Sequence, residues 1–250
     1  MVTTAVATTV DGLEISYRDS GGPDAVPVLL VHGMGGDSRT WDRFARTLAQ
    51  GGRRVVAVDL RGHGRSAHAP SYLFDEFGDD LLALCEHLAL DEVDVVGHSL
   101  GGHCASLLAQ SRPGLVRRLV LEETPLPLRP GETVGPMSGR LPTPVELWHA
   151  TTSLLRHPRA ALAFDRSMTR SALAQFHRPN PAWWDRLPRI AAPTLVVCGG
   201  PSGMVHPGRL TAAAAAIPNC RVVTIEVGHS VHRDRPNQFE AVVAAFLAGE

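Results

Sequence analysis

A serine stands between glycines in Gly97-His98-Ser99-Leu100-Gly101-Gly102, directly after the apolar run Val93-Asp94-Val95-Val96 and before a stretch with helical spacing. A G-x-S-x-G pattern between a strand and a helix puts its serine on a sharp, strained turn and raises the hydroxyl at the start of the helix. Gly97 and Gly101, two before and two after the serine, remove the clashes such a turn would create. Backbone N–H groups at a helix N-terminus stabilise developing negative charge. The chemistry that suits this arrangement is nucleophilic attack by Ser99. A neutral alcohol is a weak nucleophile and needs an adjacent base. Among the 12 histidines, His229 in Val227-Gly228-His229-Ser230 follows a strand-like run and precedes the last helix. His232, three residues on, is its main competitor and is read as lining or supporting the same loop. His63, His68, His98 and His103 lie near segments that would form a cleft and are read as packing or hydrogen-bonding groups. His149, His157, His177 and His206 show no metal-ligand spacing, so no metal is expected.

The bulk of the chain excludes several other chemistries. Its 250 residues carry 24 basic and 25 acidic side chains, a net charge of −1. No strong field steers it to nucleic acid or to an anionic membrane. Every basic residue is arginine, which cannot form a Schiff base or give up a proton near neutral pH. Pyridoxal-phosphate anchoring, Ser-Lys dyads and an ordinary phosphate-binding loop with its lysine are thereby excluded. Cys85, Cys104, Cys198 and Cys220 have no C-x-x-C spacing and are read as reduced thiols of a cytoplasmic protein. Cys104, close to Ser99, is read as core. The N-terminal MVTTAVATTV has neither the basic nor the apolar region of a signal peptide. No window approaches the ~18 apolar residues of a membrane helix.

The elements that must position Ser99 alternate between two periods. Strands are expected at Leu13 to Arg18, Pro27 to Val31, Arg54 to Asp59, Val93 to His98 and Val116 to Glu122. Helices are expected at Trp41 to Gln50, Asp75 to Leu90 and Leu100 to Gln110. After 124–187, rich in Pro, Arg and aromatics, the alternation resumes with a strand at Pro193 to Cys198 and a helix near Arg209 to Ile217. A strand at Arg221 to Val227 and a helix from Pro236 to Ala248 end the chain. Such alternation predicts a mainly parallel sheet covered on both faces, with ligands outside the carboxyl ends of its strands.

At these residues the chain resembles the α/β-hydrolase superfamily over essentially its whole length. Beyond the serine turn, His32-Gly33-Met34-Gly35-Gly36 is similar to the family's HG oxyanion loop. Asp59-Leu60-Arg61-Gly62-His63-Gly64-Arg65-Ser66 is similar to its D-x-R-G-x-G-x-S turn. Val227-Gly228-His229-Ser230 is similar to the turn bearing its catalytic histidine. The resemblance implies an eight-stranded, mainly parallel sheet flanked by helices. It implies one domain over 1–250, with a core of 1–123 and 188–250 and a mostly helical lid inserted at 124–187. It also implies an oxyanion hole from the backbone N–H groups of Met34 and Leu100, a structural His32, and an Asp59 turn that shapes the fold.

The acid departs from the commoner family pattern. After the seventh strand, where Asp is usual, the sequence reads Val197-Cys198-Gly199-Gly200-Pro201-Ser202-Gly203, and no Asp or Glu occurs between Asp185 and Glu226. A minority of the superfamily carries the acid after the sixth strand, and here that strand ends Leu121-Glu122-Glu123-Thr124. Side chains alternate along a strand, so one of the two glutamates is expected to face the histidine. Glu123 best matches the family's alternative position, and Glu122 is the other candidate.

The implied triad is Ser99, His229 and Glu123, with neither cofactor nor metal. The expected activity is hydrolysis of a small to medium carboxylic ester or lactone through an acyl-enzyme. Thioester or C–C bond hydrolysis, or a receptor-like protein with little turnover, are the alternatives. Trp148, Trp183 and Trp184 of the insertion are candidate substrate-binding residues or, equally, core packing. The expected partner is a small molecule, not nucleic acid or membrane, and the expected state is a monomer or homodimer.

Overall fold

A computed structural model describes residues 5–22, 26–133, 148, 151 and 163–250. Strands β1 (Ala5–Val10), β2 (Leu13–Asp19), β3 (Val28–Val31), β4 (Val55–Val58), β5 (Val93–His98), β6 (Val116–Glu122), β7 (Thr194–Cys198) and β8 (Cys220–Thr224) form one sheet in the order β1-β2-β4-β3-β5-β6-β7-β8. β1 is antiparallel to β2 and β2 to β4, and the remaining neighbours are parallel. The parallel strands β3, β4, β5 and β7 are buried at every position. This is why they read as continuous apolar runs.

Helices α1 (Asp42–Gln50), α2 (Phe74–His87), α3 (Leu100–Ser111), α4 (Arg166–Phe176), α5 (Pro181–Arg186), α6 (Pro207–Ala216), α7 (Val231–Asp234) and α8 (Pro236–Ala248) follow in chain order among the described residues. Strand periodicity divides the core into two layers. Leu29, Val31, Val95, Leu119, Leu121 and Val196 face α2 and α3 through Phe77, Leu81 and Leu108. Val28, Leu30, Val96, Val120, Leu195 and Val197 face α1 and α8 through Phe44, Phe239 and Val243. Burying one such large apolar side chain contributes about 1.5–3 kcal/mol.

The strand order turns back on itself at the β3/β5 neighbours. In a doubly wound sheet, that switch point opens a crevice at the carboxyl ends, and the loop 32–37 and Ser99 both leave the sheet there. Three spans differ from expectation. Strand β1 at Ala5–Val10 lies outside the strands expected from the sequence. The strand expected to run to Val227 ends at Thr224: the Ile225 N–H makes the last ladder bond, to the Cys198 carbonyl, and the N–H groups of Val227 and Gly228 then both turn to the Gly199 carbonyl. The short helix α7 was not foreseen. Of the expected lid at 124–187, residues 134–147, 149–150 and 152–162 lie outside the described residues.

Candidate active site

The turn after β5 is as tight as the glycines imply. Ser99 has φ 52° and ψ −120°. Such a conformation costs a residue with a Cβ about 1–3 kcal/mol and persists only where the surroundings enforce it. A Cβ on Gly97 would lie 2.5 Å from the Gly101 carbonyl oxygen, and one on Gly101 would lie 2.3 Å from that of Val31. The Ser99 N–H donates to the Glu122 carbonyl at 2.8 Å, which ties the turn to the end of β6.

The loop after β3 lies against this turn. A Cβ on Gly33 would meet His98 Nδ1 at 2.7 Å and Ser99 Cβ at 3.1 Å, so only glycine permits the approach. His32 secures the loop: its Nδ1 bonds the Gly33 carbonyl at 2.7 Å and its Nε2 accepts the Leu60 N–H at 3.0 Å. The Asp59 carboxylate accepts the N–H groups of Ser38 and Arg65 at 2.7 and 2.9 Å. Both residues therefore hold loops. Met34 sits at the turn of this loop, and Leu100 opens α3 beside Ser99.

The two adjacent glutamates at the end of β6 point to different partners. Glu123 has φ 45°, and its carboxylate crosses to the loop after β7. There, Oε1 accepts the Gly199 N–H and Oε2 accepts the Met204 N–H, each at 2.6 Å. This is the loop in which the commoner family pattern places its own acid. Gly203 leaves room for it, since a Cβ there would lie 2.5 Å from Oε1. His229 Nδ1, buried and without a hydrogen-bond partner among the described residues, lies 3.5 Å from Glu123 Oε2. Catalytic contacts often stand this loose in a free enzyme and tighten around substrate. Glu122, on the opposite face, is fully buried. Its carboxylate accepts the backbone N–H of His232 at 2.8 Å and contacts His232 Nδ1 at 2.8 and 2.9 Å.

Burial sets the charge state of the deeper groups. It raises the Glu122 carboxyl to about 7 against the weaker pull of His98 and the His232 N–H. It lowers His98 to about 3, so that imidazole is neutral near pH 7, and its Nε2–H donates to the His229 carbonyl at 2.8 Å. His98, Glu122 and His232 bring atoms of metal-ligand type within 4.8 Å of one another. The hydrogen bonds just described already occupy one ring nitrogen of each histidine and the carboxylate. This cluster was not foreseen. Its signal lay in strand parity, because His98 and Glu122 fall on the same sheet face as Val96 and Val120.

Two of the three insertion tryptophans make packing contacts. Trp183 is 1% exposed, stacks on His103 and donates to Ser106 Oγ at 3.0 Å. Trp184 donates to the Pro127 carbonyl and carries Arg129 over its ring. Trp148 is 67% exposed. For Trp183 and Trp184, packing is the role these contacts describe.

A serine turn at the switch point of a doubly wound sheet, with a histidine on the loop after the last strand, is the layout of the α/β hydrolases. Residues 26–187 match the alpha/beta hydrolase fold family, and the chain belongs to it. It is 30% identical over 268 residues to the sn-1-specific diacylglycerol lipase ABHD11 of Mus musculus, covering 94% of this chain and 86% of that protein. Among solved structures it is similar to a bacterial membrane phospholipase A, at TM-score 0.81 and 26% identity, covering 98% of this chain and 86% of that one. It is also similar to an N-acyl homoserine lactone degrading enzyme, at TM-score 0.73 and 26% identity, covering 96% of this chain and 100% of that one. No helix of the described residues is long and apolar enough to cross a membrane.

Proposed function

We propose that this α/β hydrolase cleaves a small to medium carboxylic ester or lactone, with Ser99 as nucleophile, His229 as base and Glu123 as acid. The observation that carries the reading is the Glu123 carboxylate, gripped by two backbone N–H groups and 3.5 Å from His229 Nδ1. A carboxylate in that position fixes the imidazole tautomer and stabilises the imidazolium that forms when Ser99 is deprotonated. In this reading Ser99 Oγ attacks the carbonyl carbon while His229 Nε2 takes its proton. The Met34 and Leu100 N–H groups receive the oxyanion. The intermediate collapses, His229 protonates the departing alkoxide, and the acyl group remains on Ser99. A water deprotonated by His229 then releases the acid and restores the serine. The cycle calls on no cofactor. The insertion at 124–187 is read as a lid that bounds the substrate. Relatives named as a diacylglycerol lipase and a lactone-degrading enzyme support an oxygen ester as the scissile bond.

The test is labelling with a fluorophosphonate, followed by peptide mass mapping and an ester and lactone panel. An adduct on Ser99, and loss of both labelling and turnover in Ser99→Ala, is the expected result. An adduct elsewhere, or turnover that survives Ser99→Ala, would overturn the reading.

A further inference from the structure

Behind His229 lies a second histidine–carboxylate pair. We infer that His98 and the Glu122–His232 pair are positioning residues for His229, fixing the loop that carries it against the strand that carries the nucleophile. This inference rests on the proposed role of His229 as the base.

The connections run through two adjacent strand ends. His98 closes β5 and Glu122 closes β6, and the two are direct cross-strand partners in the parallel ladder. Their side chains emerge on the α1/α8 face. His98 donates from Nε2 to the carbonyl of His229 itself, at 2.8 Å. Glu122 acts twice. Its carbonyl accepts the Ser99 N–H at 2.8 Å, and its carboxylate accepts the N–H of His232, three residues beyond His229, also at 2.8 Å. The nucleophile's backbone and the base's loop are thus held by one residue. The rings are layered: Trp41 stacks on His232 at 4.2 Å, His232 meets His98 at 5.0 Å, and His98 meets His229 at 4.8 Å.

The composition of this layer argues for position over cohesion. The same face is otherwise filled by Val28, Leu30, Val96, Val120 and Leu195. A buried carboxylate with two imidazoles gains little stability over apolar packing, and its best attested use is to specify one arrangement. Apolar side chains could fill the space, but none could hold the His229 carbonyl or the His232 N–H at a fixed direction.

The experiment compares wild type, His98→Ala, His98→Gln and Glu122→Gln, each checked for native circular dichroism. Fluorophosphonate labelling of Ser99, kcat and KM are measured on one ester that the wild type turns over. A misplacement of about 1 Å costs about 10²-fold. His98→Ala should therefore lose about that factor in labelling rate and kcat with KM nearly constant. His98→Gln, whose amide can still donate to the His229 carbonyl, should recover most of it. Glu122→Gln, whose amide NH2 replaces the oxygen that meets His232 Nδ1, should also lower labelling rate and kcat with KM nearly constant. If His98→Ala fails to fold, Glu122→Gln decides. Wild-type labelling combined with His98→Ala and Glu122→Gln variants that keep the wild-type kcat would overturn the inference and leave the triad standing. A wild type that is not labelled at Ser99 would overturn both.

Discussion

Replacing Glu123 by Gln separates the observed grip of its carboxylate on the loop after β7 from the catalytic role proposed for it. Oε1 accepts the Gly199 N–H and Oε2 the Met204 N–H, both at 2.6 Å, and Oε2 also faces His229 Nδ1 at 3.5 Å. Glutamine offers one oxygen and one NH2. Whichever way the amide turns, one backbone N–H meets a donor. One hydrogen bond to a charged acceptor is lost, at about 1.5–3 kcal/mol. For a chain of this size that lowers the melting temperature by roughly 3–12 °C. The kinetic loss is larger. A neutral amide stabilises the imidazolium poorly and allows the wrong tautomer, which in a Ser-His-Asp triad costs about 10⁴ in kcat, or about 5.5 kcal/mol of transition-state stabilisation. Ester turnover and a thermal melt on the same preparation read the two effects independently. A variant with a lowered melting temperature but kcat within about tenfold of wild type would refute the reasoning, since the carboxylate would then only fasten the loop after β7.

Two further outcomes are expected. Gly203→Ala places a Cβ 2.5 and 2.7 Å from the two Glu123 carboxylate oxygens. It should reduce kcat by about 10²-fold for a displacement near 1 Å while fluorophosphonate mapping still finds the adduct on Ser99, and an unchanged kcat would count against Glu123. Glu122, raised from 4.5 to about 7 by burial, keeps in the folded state a proton that the unfolded chain has released. Its contribution is therefore full below pH 4.5 and fades as the pH rises through about 7, by up to about 3 kcal/mol. Urea unfolding at several pH values in that window should show this slope in wild type and its absence in Glu122→Gln, and equal slopes would refute it.

The serine turn was legible because its constraints are local. Gly97, Ser99 and Gly101 lie within five residues, and the backbone atoms that exclude a Cβ there belong to the turn and to the neighbouring β3. The sheet was legible for a similar reason, since strands buried on both faces write themselves as runs of Val and Leu. The final helix was read at its observed limits, with Pro236 at its first position. What distinguishes Glu122 from Glu123 is not local. Alternation says only that they diverge. Their partners come from the loops at 199–204 and 229–232, more than 70 residues away in the chain. Trp183 shows a choice that composition leaves open. An aromatic in an insertion reads equally as pocket lining or as core packing, and only the fold brings its indole N–H to Ser106 on α3.

Residues 186–225 hold no Asp or Glu, and the carboxylate held in the loop after β7 is that of Glu123. The N–H groups of Gly199 and Met204 converge on one point in the loop after β7, and the Gly199 carbonyl accepts from Val227 and Gly228 in the loop of His229. What this geometry specifies is a negative charge at that point, not the strand that delivers it. β6 lies next to β7, and a residue with φ 45° at its end can turn a glutamate across the gap. The longer side chain then covers the distance, provided that residue 203 has no Cβ. Glu123 and Gly203 are two halves of one solution. Moving the carboxylate back to the loop after β7 would therefore take more than Ser202→Asp: the two N–H groups would first have to be freed by removing Glu123.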